Sequence, residues 1–315
     1  MAHHSCLIAK ALKFVPARAF EGHKYIEEVE CHDGVEKIEE HAFDYCPRLK
    51  RVIMPGVKVI EYRAFHNCQV LTYIECGKLE RIGASAFSHN KSLSSIDLPS
   101  IRNVEGWAFA CCINLKSVVF GKDLESIRGW GALHDCVSLE RITLPSKDGM
   151  IIDDSSFSLC GNLNQVDLVG GLHEKTIAAL LMEEWKSDMI EEIDSINQIL
   201  PNTSAGNKHY GVGEKAREIR RWIRSVLGKI VRYQAEHDRV LNEAATTLQL
   251  ALPRDIVMNG VLPFLELPLH TFEVEDASDE EEGDSEEGGG YADDDQGDKS
   301  RHLFCCLRKL WSHAR

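Results

Sequence analysis

Hydrophobic positions in the first half of the chain recur with a period. Ala19-Phe20 returns as Ala42-Phe43, Ala64-Phe65, Ala86-Phe87 and Ala108-Phe109, then in altered form as Ala132-Leu133 and Ser156-Phe157. The steps are 23, 22, 22, 22, 24 and 24 residues. Other positions keep the same phase. Three residues after the Phe stand His23, Cys46, Cys68, Asn90, Cys112, Cys136 and Cys160. Three further on come Ile26, Leu49, Leu71, Leu93, Leu115, Leu139 and Leu163, and three beyond those Val29, Val52, Ile74, Ile96, Val118, Ile142 and Val166. Four before the Ala sit Val15, Ile38, Ile60, Ile82, Val104 and Ile152, with Ile127 displaced by one residue. Seven copies in register are the signature of a solenoid. One coil is too small to bury its own apolar residues, so stacking must place each Phe on the next Phe and each Leu on the next Leu. Segments such as Leu93 to Pro99 and Leu139 to Pro145 alternate near their ends and close on proline. They predict short strands, stacked into a parallel sheet with apolar inward positions.

The pattern I-x-x-x-A-F-x-x-C-x-x-L-x-x-I-x-L-P, over residues 13–170, resembles the BspA-like, or Treponema-type, leucine-rich repeats. The resemblance implies an α/β solenoid: a right-handed, curved leucine-rich-repeat coil with a short-strand parallel sheet, used for protein binding and without catalytic machinery. Members on bacterial surfaces carry secretion signals. The opening "MAHHSCLIAKALKF" has no apolar core followed by a small-residue cleavage site, so the chain looks more like the intracellular copies of protists and microalgae. An intracellular, cytoplasmic protein is expected.

Five of the seven copies place Cys at one phase. A nucleophilic cysteine needs a nearby base, exposure and an electropositive setting. His41 and His66 precede their cysteines, but the other copies do not share them, and both read as incidental. In leucine-rich repeats this slot points inward and can donate to turn carbonyls. Asn90 can do so and a thiol can do so weakly, and Cys buries readily. The five are therefore read as core. Cys111, beside a ladder position, is expected to point outward and to be the more reactive thiol. No C-x-x-C pair signals zinc, and no P-loop, dinucleotide fingerprint or triad signals an enzyme or a cofactor.

Between the inward positions of each strand, residues should face out on the concave side. One outward row is Glu30, Ile53, Glu75, Asp97, Val119, Thr143 and Asp167; its neighbour is Glu28, Arg51, Tyr73, Ser95, Ser117, Arg141 and Gln165. A merely solvated sheet explains charges there equally well. The functional alternative is a partner-binding stripe centred on Glu30, Arg51, Ile53, Tyr73, Glu75, Asp97, Arg141 and Asp167, because Arg and Tyr are enriched at interface hot spots.

After Gly170-Gly171 the period changes. Residues 172–251 predict two amphipathic helices, the first from His173 to a stop at Pro201, the second from about Glu214 to Leu250. They would close the apolar end of the solenoid. The second carries Lys215, Arg217, Arg220, Arg221, Arg224, Lys229, Arg232 and Arg239, diluted by Glu214, Glu218, Glu236 and Asp238. This reads as a solvated face, and no nucleic-acid partner is expected. Residues 252–272 predict a short apolar helix; "LPRDI" resembles the opening of an F-box, whose remainder is missing.

The net charge of −14 belongs largely to one segment. Residues 273–298 hold 14 of the 50 acidic residues and no Lys or Arg, leaving 36 acidic against 36 basic elsewhere. The linker 273–300 cannot bury enough apolar surface to fold, which predicts a disordered acidic tail. Its Ser278 and Ser285 precede acidic residues and suit an acidophilic kinase. Residues 301–315 are basic and apolar, and Cys305-Cys306 among them are candidates for palmitoylation. The leading expectation is a monomeric scaffold for an unknown protein partner. The alternatives are a peripheral membrane adaptor anchored by that tail, or a ubiquitin-ligase substrate adaptor.

Overall fold

Long and short strands alternate along the first half of the chain because each coil offers two apolar crossings of the core. In the computed structural model, which describes residues 5–8, 12–169, 182–206 and 213–249, the longer strands are β1 (Ser5–Ile8), β3 (Glu28–Cys31), β5 (Arg51–Ile53), β7 (Tyr73–Glu75), β9 (Ser95–Leu98), β11 (Ser117–Phe120), β13 (Arg141–Leu144) and β15 (Gln165–Leu168). The two-residue strands are β2 (Phe14–Val15), β4 (Lys37–Ile38), β6 (Val59–Ile60), β8 (Arg81–Ile82), β10 (Asn103–Val104), β12 (Ser126–Ile127) and β14 (Ile151–Ile152). The short strands form one seven-stranded sheet; the longer ones form two four-stranded sheets, β1-β3-β5-β7 and β9-β11-β13-β15. Every pairing is parallel and joins strands one coil apart, as in Val29 to Val52 to Ile74. β1 pairs with β3 ahead of residue 13, so the solenoid begins earlier than the repeat pattern suggests.

The sheet of short strands was not predicted, because two residues are too few to alternate visibly. Its rows also correct one register. Ile127, displaced in the sequence, pairs directly with Val104 and Ile152. The extra residue lies in the following turn, where Gly129 and Gly131 take φ of 84° and 57°, a region that costs glycine little.

Between a short strand and the next long one the chain makes tight turns. Most turns hold two residues with left-handed backbones, for example His41 and Tyr45 (both 55°), or Ser85 and His89 (56° and 61°). This conformation is unfavourable for residues with a Cβ, and the geometry persists because the turn N–H groups bond to the next coil. His41 N donates to Tyr62 O (3.0 Å), Phe43 N to Ala64 O (2.7 Å) and Tyr45 N to His66 O (2.9 Å), and the pattern repeats along the array. Beneath the turns the Phe rings stack nearly parallel. Phe20, Phe43, Phe65, Phe87 and Phe109 follow at centroid spacings of 5.0, 5.1, 5.4 and 5.5 Å. Leu133 ends the column.

The expected thiol and amide contacts are present. Cys46 Sγ donates to Phe20 O at 3.2 Å, Cys68 to Phe43 O at 3.1 Å, Cys112 to Phe87 O at 3.2 Å, Cys136 to Phe109 O at 3.1 Å and Cys160 to Leu133 O at 3.1 Å. Asn90 Nδ2 takes the same part, donating to Phe65 O (3.0 Å) and Phe87 O (2.8 Å). All six side chains are fully buried. Burial pushes the Cys112 thiol up to about 12 and raises those of Cys68 and Cys136.

The helices are α1 (Glu183–Ile199), ended by a 3-10 turn containing Pro201, and α2 (Lys215–Gln249). Met189, Ile196, Leu200, Ile219, Trp222, Val226 and Ile230 join the solenoid's own core. The pair also answers polar groups of the last coil. Asn197 Oδ1 accepts from Val166 N (2.9 Å), and Ala205 O accepts from Leu159 N (2.7 Å). Lys215, placed on the basic face by its sequence neighbours, is instead 1% exposed. Its Nζ donates to Leu163 O (2.5 Å), Leu200 O (2.9 Å) and Gly161 O (3.5 Å), and burial lowers its pKa. It faces inward because the first turn of α2 abuts the last coil.

Two outcomes test this packing. Phe65→Ala removes a ring with neighbours on both sides and should cost about 3–5 kcal/mol in chemical denaturation; a loss below about 1 kcal/mol would mean that the column carries little. Lys215→Met leaves buried carbonyls without a donor and should cost about 2–3 kcal/mol, whereas a more stable variant would mean that the desolvated amine outweighs its bonds.

Candidate functional site

The outward rows of the long strands emerge as read from the sequence. Glu30, Ile53 and Glu75 pair across β3, β5 and β7, as do Arg51 and Tyr73. Asp97, Val119, Thr143 and Asp167 continue the row across β9 to β15, with Arg141 beside them. β7 and β9 are not joined in one sheet, so the surface falls into two groups. In the first, the Arg51 guanidinium lies 4.9 Å from the Tyr73 ring centroid, and the Tyr73 hydroxyl donates to Glu75 at 3.1 Å. Tyr73 remains 45% exposed. In the second, Arg141 Nε meets Asp167 at 2.7 Å, and Gln165 donates to the same carboxylate at 3.3 Å. Glu30 and Asp97 are exposed, while Ile53 and Asp167 are half-buried.

The basic face of α2 is largely neutralised. Lys229 contacts Asp188 (2.9 Å) and Glu192 (3.0 Å), Arg221 contacts Glu218 (2.6 Å), and Arg239 contacts Glu236 and Glu243, both at 2.5 Å. Arg220 bonds Ile152 O and Asp154. The apolar segment 252–272, Ser278, Ser285 and Cys305-Cys306 lie outside the described residues.

Sequence reasoning missed a row of polar residues at the turns. One residue past each Phe stand Asp44, His66 and Ser88, on consecutive coils and nearly buried. Their order suggests a catalytic triad, but the bonds do not make one. Asp44 pairs with His41 (2.7 Å), not with His66. His66 Nδ1 contacts Ser88 Oγ at 2.5 Å, while that hydroxyl donates to Ser85 O at 3.0 Å. The serine proton is therefore engaged elsewhere, and Ser88 is 2% exposed. Burial, then the Arg63 charge and the neighbouring His89 and His41, push the His66 pKa down to about 4. Only the coil spacing, which sets these residues one above another, could have revealed the row. Cys111 is half-buried, whereas the other described free cysteines are buried, and burial together with Asp135 raises its pKa.

The chain matches the family "BspA type Leucine rich repeat region" in six copies, over residues 13–131 and 80–199. Among solved structures it is similar to a leucine-rich repeat protein of T. pallidum, with 23% identity, 57% of this chain and 84% of that chain covered, and a TM-score of 0.45. A leucine-rich repeat protein from Eubacterium ventriosum is 23% identical, with 44% and 38% covered and a TM-score of 0.39. The pneumococcal vaccine antigen PcpA is 20% identical, with 52% and 36% covered and a TM-score of 0.36. No curated protein matches the sequence.

The buried His66 generates a pH dependence. A histidine free at about 6.5 in the unfolded chain and about 4 in the fold binds its proton first in the unfolded state. Stability is then full above pH 6.5 and falls as pH drops towards 4, by ~3 kcal/mol from this residue. Denaturation at a series of pH values should show that slope for the native sequence and a flatter one for His66→Gln; equal slopes would place the acid sensitivity elsewhere.

Proposed function

The chain belongs to the BspA-type leucine-rich repeat family, and on that footing we propose that it is a non-catalytic scaffold that captures a protein partner on its outward strand face. One observation carries the reading: Arg51, Tyr73 and Glu75 form a connected, exposed group on adjacent strands. Strands hold such side chains with little freedom left to lose on binding, and Arg and Tyr are the residue types that dominate interface energies. Inward positions of a solenoid are constrained by packing, while outward ones differ from coil to coil, which suits them to specificity. The acidic members Glu30, Glu75, Asp97 and Asp167, beside Arg51 and Arg141, favour a partner of mixed charge with basic groups. The reading takes the scaffold to act as a monomer inside the cell. No described helix is long and apolar enough to cross a membrane. The membrane-adaptor and ligase-adaptor readings rest on residues outside those described, and no observation favours either.

Affinity capture with the full chain as bait tests the proposal. Tyr73→Ala and the charge reversals Glu75→Lys and Asp97→Lys should each weaken recovery of the bound partner about tenfold, or ~1.4 kcal/mol. Val231→Ser on α2 should not. Undiminished capture by all three strand-face variants would remove the idea.

A further inference from the structure

Three donors near the N-terminal end of the solenoid are used by neither the repeat nor the strand face. Glu21 lies in one turn, and His41 and Asp44 lie in the turn of the next coil. The two turns are clamped by bonds from Phe20 N to Ala42 O (2.8 Å) and from Gly22 N to Asp44 O (2.7 Å). One donor atom from each of the three side chains lies within 4.8 Å of the other two. Glu21 gives Oε2 to Arg18 at 2.8 Å and keeps Oε1. His41 Nδ1 faces Asp44 Oδ2 at 2.7 Å, so an ion held by both side chains would take the place of that hydrogen bond. Asp44 is only 2% exposed, and its Oδ1 has no hydrogen-bonding partner among the described residues. A buried carboxylate oxygen left unanswered is rare, because its desolvation goes uncompensated. Nothing in the repeat demands this set. The next coil carries Arg63 and His66 where His41 and Asp44 stand.

We propose that Glu21, His41 and Asp44 form a site for one divalent transition-metal ion of the Zn2+ type. An imidazole and two carboxylates are ordinary zinc donors, and three protein ligands leave a position for water. The imidazole favours Zn2+ over Mg2+ and Ca2+, which take oxygen. Binding joins two coils and sets a cation against the buried Asp44 carboxylate. Arg18 and Arg63 lie close enough to oppose the added charge, so the affinity is below that of a closed structural site. The C-x-x-C criterion is blind to such a set because its members come from two coils and include no thiol.

Titration of the full chain with Zn2+, and separately with Co2+, tests the site. The native protein should bind one ion that Glu21→Gln and Asp44→Asn bind at least tenfold more weakly. Glu21 is exposed, so its variant keeps the fold, and circular dichroism checks both. The Co2+ complex should show ligand-field bands that these variants lose, without a thiolate-to-cobalt charge-transfer band. Zn2+ should raise the melting temperature of the native chain and leave that of Glu21→Gln unmoved, while Mg2+ moves neither. Equal Zn2+ affinity in all three proteins, or binding that disappears only when cysteines are alkylated, overturns the assignment.

Discussion

From Phe20 to Leu133, the carbonyl at each turn receives a side-chain donor from a following coil, beside any backbone N–H of its own turn. The left-handed residues of the turns fold the chain back sharply, and the repeating Phe from Phe43 to Phe109 is withdrawn from water. A buried acceptor without a partner costs more than most single contacts return. The slot three residues after the next Phe supplies the answer, through the thiols of Cys46, Cys68, Cys112, Cys136 and Cys160 or the amide of Asn90. Only a small side chain with a donor fits beside the stacked rings. These contacts act with the backbone bonds from turn to turn to hold each coil at one height relative to the last.

The ending poses a related problem. A repeat can answer the coil before it, but the last coil has no successor. Its backbone groups are met from outside, by Asn197 at Val166 N, Ala205 at Leu159 N and Lys215 at the carbonyls of Gly161 and Leu163. The helices thus combine apolar cover with donors and acceptors placed where the ladder stops. This is why a lysine lies buried at the start of α2 while its charged sequence neighbours stay at the surface.

Much of the fold was legible because a solenoid turns long-range contact into sequence period. The Phe, Cys, Leu and Val/Ile rows, both outward rows and the second helix could all be read by phase. Features spread across coils without a repeating residue were not legible. β1 has no Ala-Phe marker near it. The left-handed turn positions accept His41, Arg63, Ser85 and Trp107 in turn, because only the backbone is specified there. The Asp44, His66 and Ser88 row changes residue at each step, so it has position without pattern. The outward face was placed correctly as geometry, and which of its residues touch a partner is a property of that partner's surface.

Chemistry and architecture meet at the five ladder cysteines, whose spacing would otherwise invite a catalytic or redox reading. Pulsed alkylation of the native protein, with the modified cysteines mapped by mass spectrometry, addresses them most directly. The account predicts that Cys46, Cys68, Cys112, Cys136 and Cys160 react only as fast as global unfolding exposes them, their protection falling with denaturant in parallel with stability, while half-buried Cys111 reacts sooner. Prompt labelling of any of the five in the folded protein would contradict it.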